Sequence, residues 1–341
     1  MRAAVYERFG GPEVLHVIDR PEPVPSDGEV LVRIAFSGVN PTDWKARRGP
    51  GARQSQAELP FPQLVPNQDG AGTIVAVGAG VDAARAGARV WLWEAAWQRA
   101  DGTAQELVAL PERQALRLPD EASLELGASL GIPALTAHRC LTLAEDGPTN
   151  LAPGALAGKR VLVAGGAGAV GHAAIELAVW SGAEVLSTVS SPAKAELAKL
   201  AGAHHVVDYR SQDAAQVVRR VWPDGVDLIV EVAPGANAEL DQAILASHGT
   251  VAAYASDTES VPLRTRPAMG INARYQFVLV YTEPTSAKSR ALNDVSLAVA
   301  SGVLRVGAQA GLALHIFPLD QIADAHAAVE SGAVGKVLIQ L

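Results

Sequence analysis

The chain has 341 residues, 49% of them hydrophobic and 19% charged, and a formal net charge of −8. This length suits two domains with cores of their own, the composition excludes a disordered chain, and the acidic excess argues against nucleic acid and anionic membrane as partners. The single cysteine, Cys140, excludes an internal disulfide and a cysteine-built zinc site, and it suits a reducing cytoplasm.

The opening Met1–Glu7 contains a strand, Arg2–Glu7, and lacks the apolar core of a secretion signal. Short β-prone runs follow at Glu29–Ser37, Gly72–Val77, Arg89–Trp93 and Ala104–Ala109. Glycine and proline punctuate them, as at Gly10-Gly11-Pro12, which predicts a compact barrel-like β domain. From Ser123 the pattern changes. Helical stretches at Leu124–Leu130 and Ala134–Thr142 lead into strict alternation of strand and helix. The strands are Arg160–Ala164, Glu184–Val189, His205–Tyr209, Val226–Val232 and Thr250–Tyr254. The helices between them are His172–Ser181, Pro192–Ala201, Asp213–Val221 and Asn237–Leu245. Such alternation implies a doubly wound parallel sheet, an α/β domain covered by helices on both faces. No apolar run reaches membrane-spanning length, since His172 and Glu176 break the longest.

The tail returns to another style. Strands at Phe277–Tyr281, Leu314–Pro318 and Lys336–Leu341 flank helices at Lys288–Ser301 and Asp320–Ser331. The tail is expected to fold back onto the first domain. The nucleotide domain, 126–281, is then an insertion in a β domain formed by 1–125 and 282–341. The apolar strand Phe277–Tyr281 could pair across a two-fold axis, which predicts a homodimer.

The run from Val161 to Gly171 carries the strongest signal. A short strand enters glycines at Gly166, Gly168 and Gly171, with Ala169 and Val170 between the last two as further cofactor contacts, and a helical segment follows at once. The first glycine permits a tight turn, the second lets the backbone approach a pyrophosphate, and the third lets helix and strand pack closely. The helix start offers free N–H groups to the phosphates. The end of the second strand selects the dinucleotide. An NAD site usually places a carboxylate there, but this chain has Val189-Ser190-Ser191, with Lys194 beyond. Ser190 and Lys194 can bond a 2′-phosphate, so NADPH is predicted over NADH. Tyr209 and Arg210 close the neighbouring strand. Ligands of such sheets bind at the carboxyl ends of strands, which nominates Val232, Ala233, Tyr254, Ala255 and Ser256.

These residues, with Ser37-Gly38-Val39-Asn40-Pro41-Thr42-Asp43, the run Asp69–Gly78, Gly87-Ala88-Arg89-Val90 and Gly335-Lys336-Val337-Leu338, give the chain a family likeness over nearly its whole length. It resembles the zinc-independent medium-chain dehydrogenases/reductases, in particular the NADPH:quinone oxidoreductase (zeta-crystallin) group. The resemblance implies a Rossmann-type sheet inserted in a GroES-like β-barrel domain. It implies that Lys194 and Tyr209 contact the 2′-phosphate, and it adds Thr136 and Leu279 as cofactor contacts. At the positions of the zinc ligands of related dehydrogenases stand Asn40, Gln68 and Ile132, which implies no metal. The lead into Asp69, Pro66-Asn67-Gln68, departs from the glycine-rich pattern of the group.

Without a Lewis acid, the acceptor must be electrophilic by itself, as quinones and α,β-unsaturated carbonyls are. The resemblance puts Asn40 near the nicotinamide as hydrogen-bond donor to the product oxyanion, and Asp43 at the same loop or the nicotinamide ribose. A turn former before Pro41 and a helix cap are the alternatives for the two. Trp44, Gln68, Trp91 and Trp93 are candidates to line the substrate pocket, with core packing the alternative for the tryptophans. Lys336 either reaches the cofactor or is solvated. An enoyl reductase and a non-catalytic NADPH-binding protein are the competing functions.

Overall fold

The computed structural model describes residues 1–50 and 58–341. The chain forms two units, Met1–Ile132 with Leu314–Leu341, and Pro133–Ala313.

The first unit opens with the hairpin strands β1 (Arg2–Val5) and β2 (His16–Asp19). The long β3 (Glu29–Val39) runs into helix α1 (Pro41–Arg48). Strands β4 (Asp69–Val77), β5 (Arg89–Leu92), β6 (Leu107–Pro111) and β7 (Ala115–Arg117) follow, then the short helix α2 (Leu124–Gly127). β3 is the spine of this sheet. It pairs antiparallel with β4 and, along its first half, with β6. Alternate residues Val30, Val32 and Ile34 of β3 meet Ile74, Val90, Leu92, Val108 and Leu110 in one buried cluster.

The second unit begins within helix α3 (Gly131–Thr142). Strand β8 (Arg160–Ala164), helix α4 (Ala169–Trp180), strand β9 (Glu184–Val189), helix α5 (Pro192–Leu200) and strand β10 (His205–Asp208) come next. Helix α6 (Ala214–Val221), strand β11 (Val226–Glu231), helix α7 (Pro234–Ile244), strand β12 (Leu245–Ala253), helix α8 (Thr265–Gly270), strand β13 (Arg274–Phe277) and helix α9 (Thr285–Ala300) complete it. All pairings here are parallel, in the order β10-β9-β8-β11-β12-β13. This is the doubly wound order, and its reversal point lies between β8 and β11. Arg160 holds Asp227 at 2.8 and 3.0 Å and so ties the entrances of these two strands.

The chain then returns to the first unit as β14 (Leu314–Pro318), helix α10 (Ile322–Glu330) and β15 (Lys336–Gln340). β15 pairs antiparallel with the end of β3, from Val39 to Phe36.

Two expectations need correction. The return crossing falls at 313/314, not 281/282. Helix α9 stays with the second unit because Asp294 accepts hydrogen bonds from His138 Nε2 and Leu151 N–H, both at 2.7 Å, while Glu283 pairs with Arg139 at 2.8 Å. The strand expected at Phe277–Tyr281 lies at Arg274–Phe277 instead. The apolar run beyond it turns inward, with Val278, Val280 and Tyr281 buried and a single 3-10 turn over Val280–Thr282.

Candidate functional site

In the second unit the glycine turn joins β8 to α4 as its spacing requires. Gly165 adopts φ +69, a left-handed conformation open to glycine. A Cβ on Gly166 would lie 2.2 Å from Ser187 Oγ. A Cβ on Gly171 would lie 2.5 Å from the Gly165 carbonyl oxygen and 2.9 Å from Gly166 Cα. Gly168 differs, because its Cβ would meet nothing nearer than 3.5 Å. The two outer glycines are therefore needed by the fold, and the middle one leaves an open approach to the backbone. His172 N–H is bonded to Gly168 O at 2.8 Å, so Ala169, Val170 and Gly171 precede the first intrahelical bond. Their N–H groups form an anion-binding helix start.

The other nominated residues gather at the carboxyl ends of the adjacent strands. Ser191 caps α5, its hydroxyl accepting from Lys194 N–H. The Lys194 ammonium donates to Ser190 Oγ at 3.0 Å. Tyr209 N–H is bonded to Val189 O at 3.1 Å, which sets the half-exposed Tyr209 beside the end of β9. Val232 lies against the turn, 3.3 Å from where a Gly165 Cβ would be. Tyr254 N–H reaches Glu231 O at 3.0 Å, which sets Tyr254, Ala255 and Ser256 at the same edge. Thr136 is buried in α3, and Leu279 stands exposed beyond β13. Glu184 sits at the far end of β9, bonded to His205 and Trp222, and leaves the cofactor edge of that strand without a carboxylate.

Behind this edge lies a buried acid pair that the sequence pattern did not disclose. Glu231 accepts from Ala233 N–H and from Asn237 at 2.9 Å. Burial and the Glu231 charge push the Asp241 carboxyl up to about 9. Folded protein thus keeps a proton on Asp241 that the unfolded chain releases above about pH 4. The stability this proton contributes is complete in acid and is lost as the pH rises to about 9. Asp241→Asn should remove that decline, and urea midpoints measured across this range for variant and parent should diverge steadily as the pH increases. Parallel midpoints would contradict the shared proton.

In the first unit, four buried side chains meet where β3, α1, β4 and β15 converge. Lys336 Nζ donates to Asn40 Oδ1 at 2.6 Å and lies 3.6 Å from Asp69 Oδ2. Asn40 Nδ2 donates to the same Asp69 oxygen at 2.7 Å. The other Asp69 oxygen accepts from Ile132 N–H at 2.9 Å. Asp43, at the third position of α1, reaches back to accept from Asn40 N–H at 2.7 Å as a capping carboxyl. Burial and the Asp69 charge push Asp43 up to about 8. Burial raises the Asp69 carboxyl and lowers the Lys336 ammonium from their usual ranges, and each draws the other back toward its charged form. Lys336 is buried, which corrects the reading of it as a solvated side chain.

A second chain of polar groups supports β4. His326 Nε2 lies 3.0 Å from Asn67 Oδ1, which can only accept, so this nitrogen carries the hydrogen. Asn67 Nδ2 donates to Ser37 Oγ at 2.9 Å, Ser37 meets Thr103 Oγ1 at 2.7 Å, and Thr103 donates to Asp69 O at 2.6 Å. Burial, with Arg47 nearby, holds His326 down to about 3 and therefore neutral. Asn67 has φ +78, a conformation asparagine tolerates better than most residues. Its place in Pro66-Asn67-Gln68 was the one available signal of this arrangement.

For Trp91 and Trp93 the core-packing alternative holds. Trp91 has no exposed surface and lies beside Gly127 of α2, and Trp93 is buried with its Nε1–H on Arg113 O at 3.1 Å. Trp44 is half-buried under the cations of Lys45 and Arg48, 5.7 and 5.4 Å from its ring centre. Gln68 is buried, and its Oε1 accepts from Ala96 N–H at 3.1 Å, tying down the segment after β5. Asn40, Gln68 and Ile132 present amides and an aliphatic chain, a poor donor set for zinc, and both amide oxygens are already bonded.

Comparison with known proteins agrees with this layout. The alcohol dehydrogenase GroES-like domain family matches residues 26–120, and the zinc-binding dehydrogenase family matches residues 169–295. A quinone oxidoreductase of Lama guanicoe is 30% identical over 100% of this chain and 98% of its own. Among solved structures, the mycobacterial protein Rv1454c, complexed with NADPH, is 29% identical with a TM-score of 0.81, over 100% of both chains. An NAD-dependent alcohol dehydrogenase is 28% identical with a TM-score of 0.85, again over 100% of both.

Proposed function

We propose, for a chain that belongs to the quinone oxidoreductase family of medium-chain dehydrogenases and reductases, an NADPH-dependent, zinc-independent reduction of a quinone or another α,β-unsaturated carbonyl. The observation that carries the cofactor choice is the end of β9. There Ser190 and Lys194 are bonded to each other and no carboxylate opposes a 2′-phosphate. The NADPH complex of the similar mycobacterial protein supports the same choice. Bound NADPH supplies the hydride. The pyrophosphate would rest on the N–H groups of Ala169 to Gly171, over Gly168.

Asn40 is the proposed donor to oxygen. Lys336 occupies its amide oxygen, and Asp69 takes one of the two N–H groups of its amide. What remains is an N–H, which suits an oxygen gaining negative charge and does not suit an alcohol proton. Asp43 holds the Asn40 backbone and stays protonated at neutral pH, so the site gains no second negative charge.

Steady oxidation of NADPH with 9,10-phenanthrenequinone, faster than with a trans-2-alkenal, is the expected outcome. The reverse order would favour an enoyl reductase, and no turnover with either would favour a binding protein. Lys194→Ala should weaken NADPH about 10- to 100-fold, the worth of one charge-assisted hydrogen bond, and leave NADH nearly unchanged in calorimetry. Equal losses for both dinucleotides would defeat the assignment.

A homodimer is also proposed. β13 ends its sheet unpaired on one side, and Phe277 and Leu279 beside it are 69% and 53% exposed. Light scattering at micromolar concentration should give twice the chain mass; a monomer mass would refute the pairing. Among the described residues no helix is long and apolar enough to cross a membrane, and we assign the protein to the cytoplasm.

A further inference from the structure

At the edge of the parallel sheet opposite the glycine turn, β11 and β12 lose register. Val226 stands opposite Leu245, but Leu228 stands opposite Thr250, so residues 246–249 face Asp227 alone. The extra residues bulge outward. His248 is held at φ +62, with its N–H on Ile271 O at 2.7 Å and its carbonyl accepting from Arg274 Nη1 at 2.8 Å. A non-glycine residue in that conformation is held there by its surroundings, and such bulges mark sites more often than chance.

The bulge opens a cavity of about 120 Å³ within the second unit. Leu141, Ala144, Leu156 and Leu228 give it an apolar wall, and polar and charged residues line the rest. Four charged residues line it, Asp146, Lys159, Asp227 and Arg274, two of each sign; Asp227 is paired with Arg160, and Arg274 with Glu145 and Asp146. Thr250 lines the same cavity. It is 1% exposed and its hydroxyl has no hydrogen-bond partner. A buried hydroxyl without a partner costs free energy, which a matching group would recover. An apolar cavity of roughly 150 Å³ holds a benzene ring, so a slightly smaller one admits a ligand of that size only in close fit.

From these observations we infer a second ligand site, separate from the dinucleotide turn, that takes a small neutral molecule with an apolar ring and one hydroxyl, of the phenol class. The ring lies against the leucines and the hydroxyl pairs with Thr250 Oγ1. A neutral ligand fits best, because the four charges that line the pocket sum to zero. The site does not depend on the quinone reductase reading, since none of its residues belongs to the proposed cofactor or acceptor machinery.

The test is a titration of phenol, with toluene as its hydroxyl-free counterpart, into deuterated protein saturated with NADPH, followed by two-dimensional NMR. Saturable shifts confined to the amides of Leu228, Gly249, Thr250 and their neighbours are expected. Thr250→Val should weaken phenol about fivefold, one hydrogen bond's worth, and leave toluene unchanged. Ala144→Phe, at a half-buried wall position, should abolish binding of both. Shifts that never saturate, shifts centred on the glycine turn, or unaltered phenol binding by Ala144→Phe would overturn the proposal. Thr250→Val weakening both ligands alike would overturn the hydroxyl assignment.

Discussion

Lys336→Met should cost about 3–5 kcal/mol of folding stability, because it removes one partner of a fully buried ion pair. Methionine fills nearly the same volume, so the loss is electrostatic. Asp69 keeps its bonds from Asn40 and Ile132 but loses the ammonium 3.6 Å away. The protein can escape by protonating Asp69, and the penalty should therefore shrink as the pH is lowered. Urea unfolding at neutral and at mildly acidic pH gives both numbers. A neutral-pH loss below about 1 kcal/mol, the worth of an exposed pair, would show that Lys336 is not held as the structure has it. Activity should fall further than stability explains, since the freed Asn40 amide can then turn its oxygen outward.

Two glycine variants should separate fold from ligand contact. Gly171→Ala puts its methyl 2.5 Å from a backbone oxygen and 2.9 Å from a backbone carbon, and no side chain can move to relieve it. It should lower both the melting temperature and NADPH affinity. Gly168→Ala meets ordinary contact at 3.5 Å, so its melting temperature should stay near that of the parent. Its NADPH affinity should nevertheless drop at least about 100-fold, near 2.7 kcal/mol, because the methyl stands where the pyrophosphate approaches. Differential scanning fluorimetry and calorimetry on the two variants decide the matter. A stable Gly168→Ala that binds NADPH normally would remove the turn from the site.

The parallel sheet was legible because its inner strands are buried on both faces and read as short β-prone runs, largely apolar, between helices. Arg160–Ala164 and Glu184–Val189 begin and end where the sequence pattern puts them. The edge strand β13 was not legible. Its residues Arg274 and Gln276 are polar because one side of it lacks a neighbour, while the apolar run that mimicked a strand is a buried turn. The same limit applies to the site. Gly166, Gly168 and Gly171 act through local backbone geometry, which spacing reports. Lys336, Asp69 and His326 act through partners far along the chain, and nothing near them in sequence distinguishes them from solvated charge or a packed ring. Trp91 and Trp93 misled for a related reason: an aromatic after a strand is equally at home in a pocket and in a core, and only the sheet's handedness of facing decides.

The Lys336–Asn40 bond joins residues 296 positions apart, and β15 supplies the last neighbour of β3. A polypeptide growing from its amino terminus has all of Pro133–Ala313 before that strand exists. Nascent domains ordinarily mature from the amino end onward. In this chain the portion translated first must wait, its Asn40 and Asp69 uncompensated, until the final strand has left the ribosome. A chain cut short just before Lys336 would then spare the inserted unit and leave the older one unfinished.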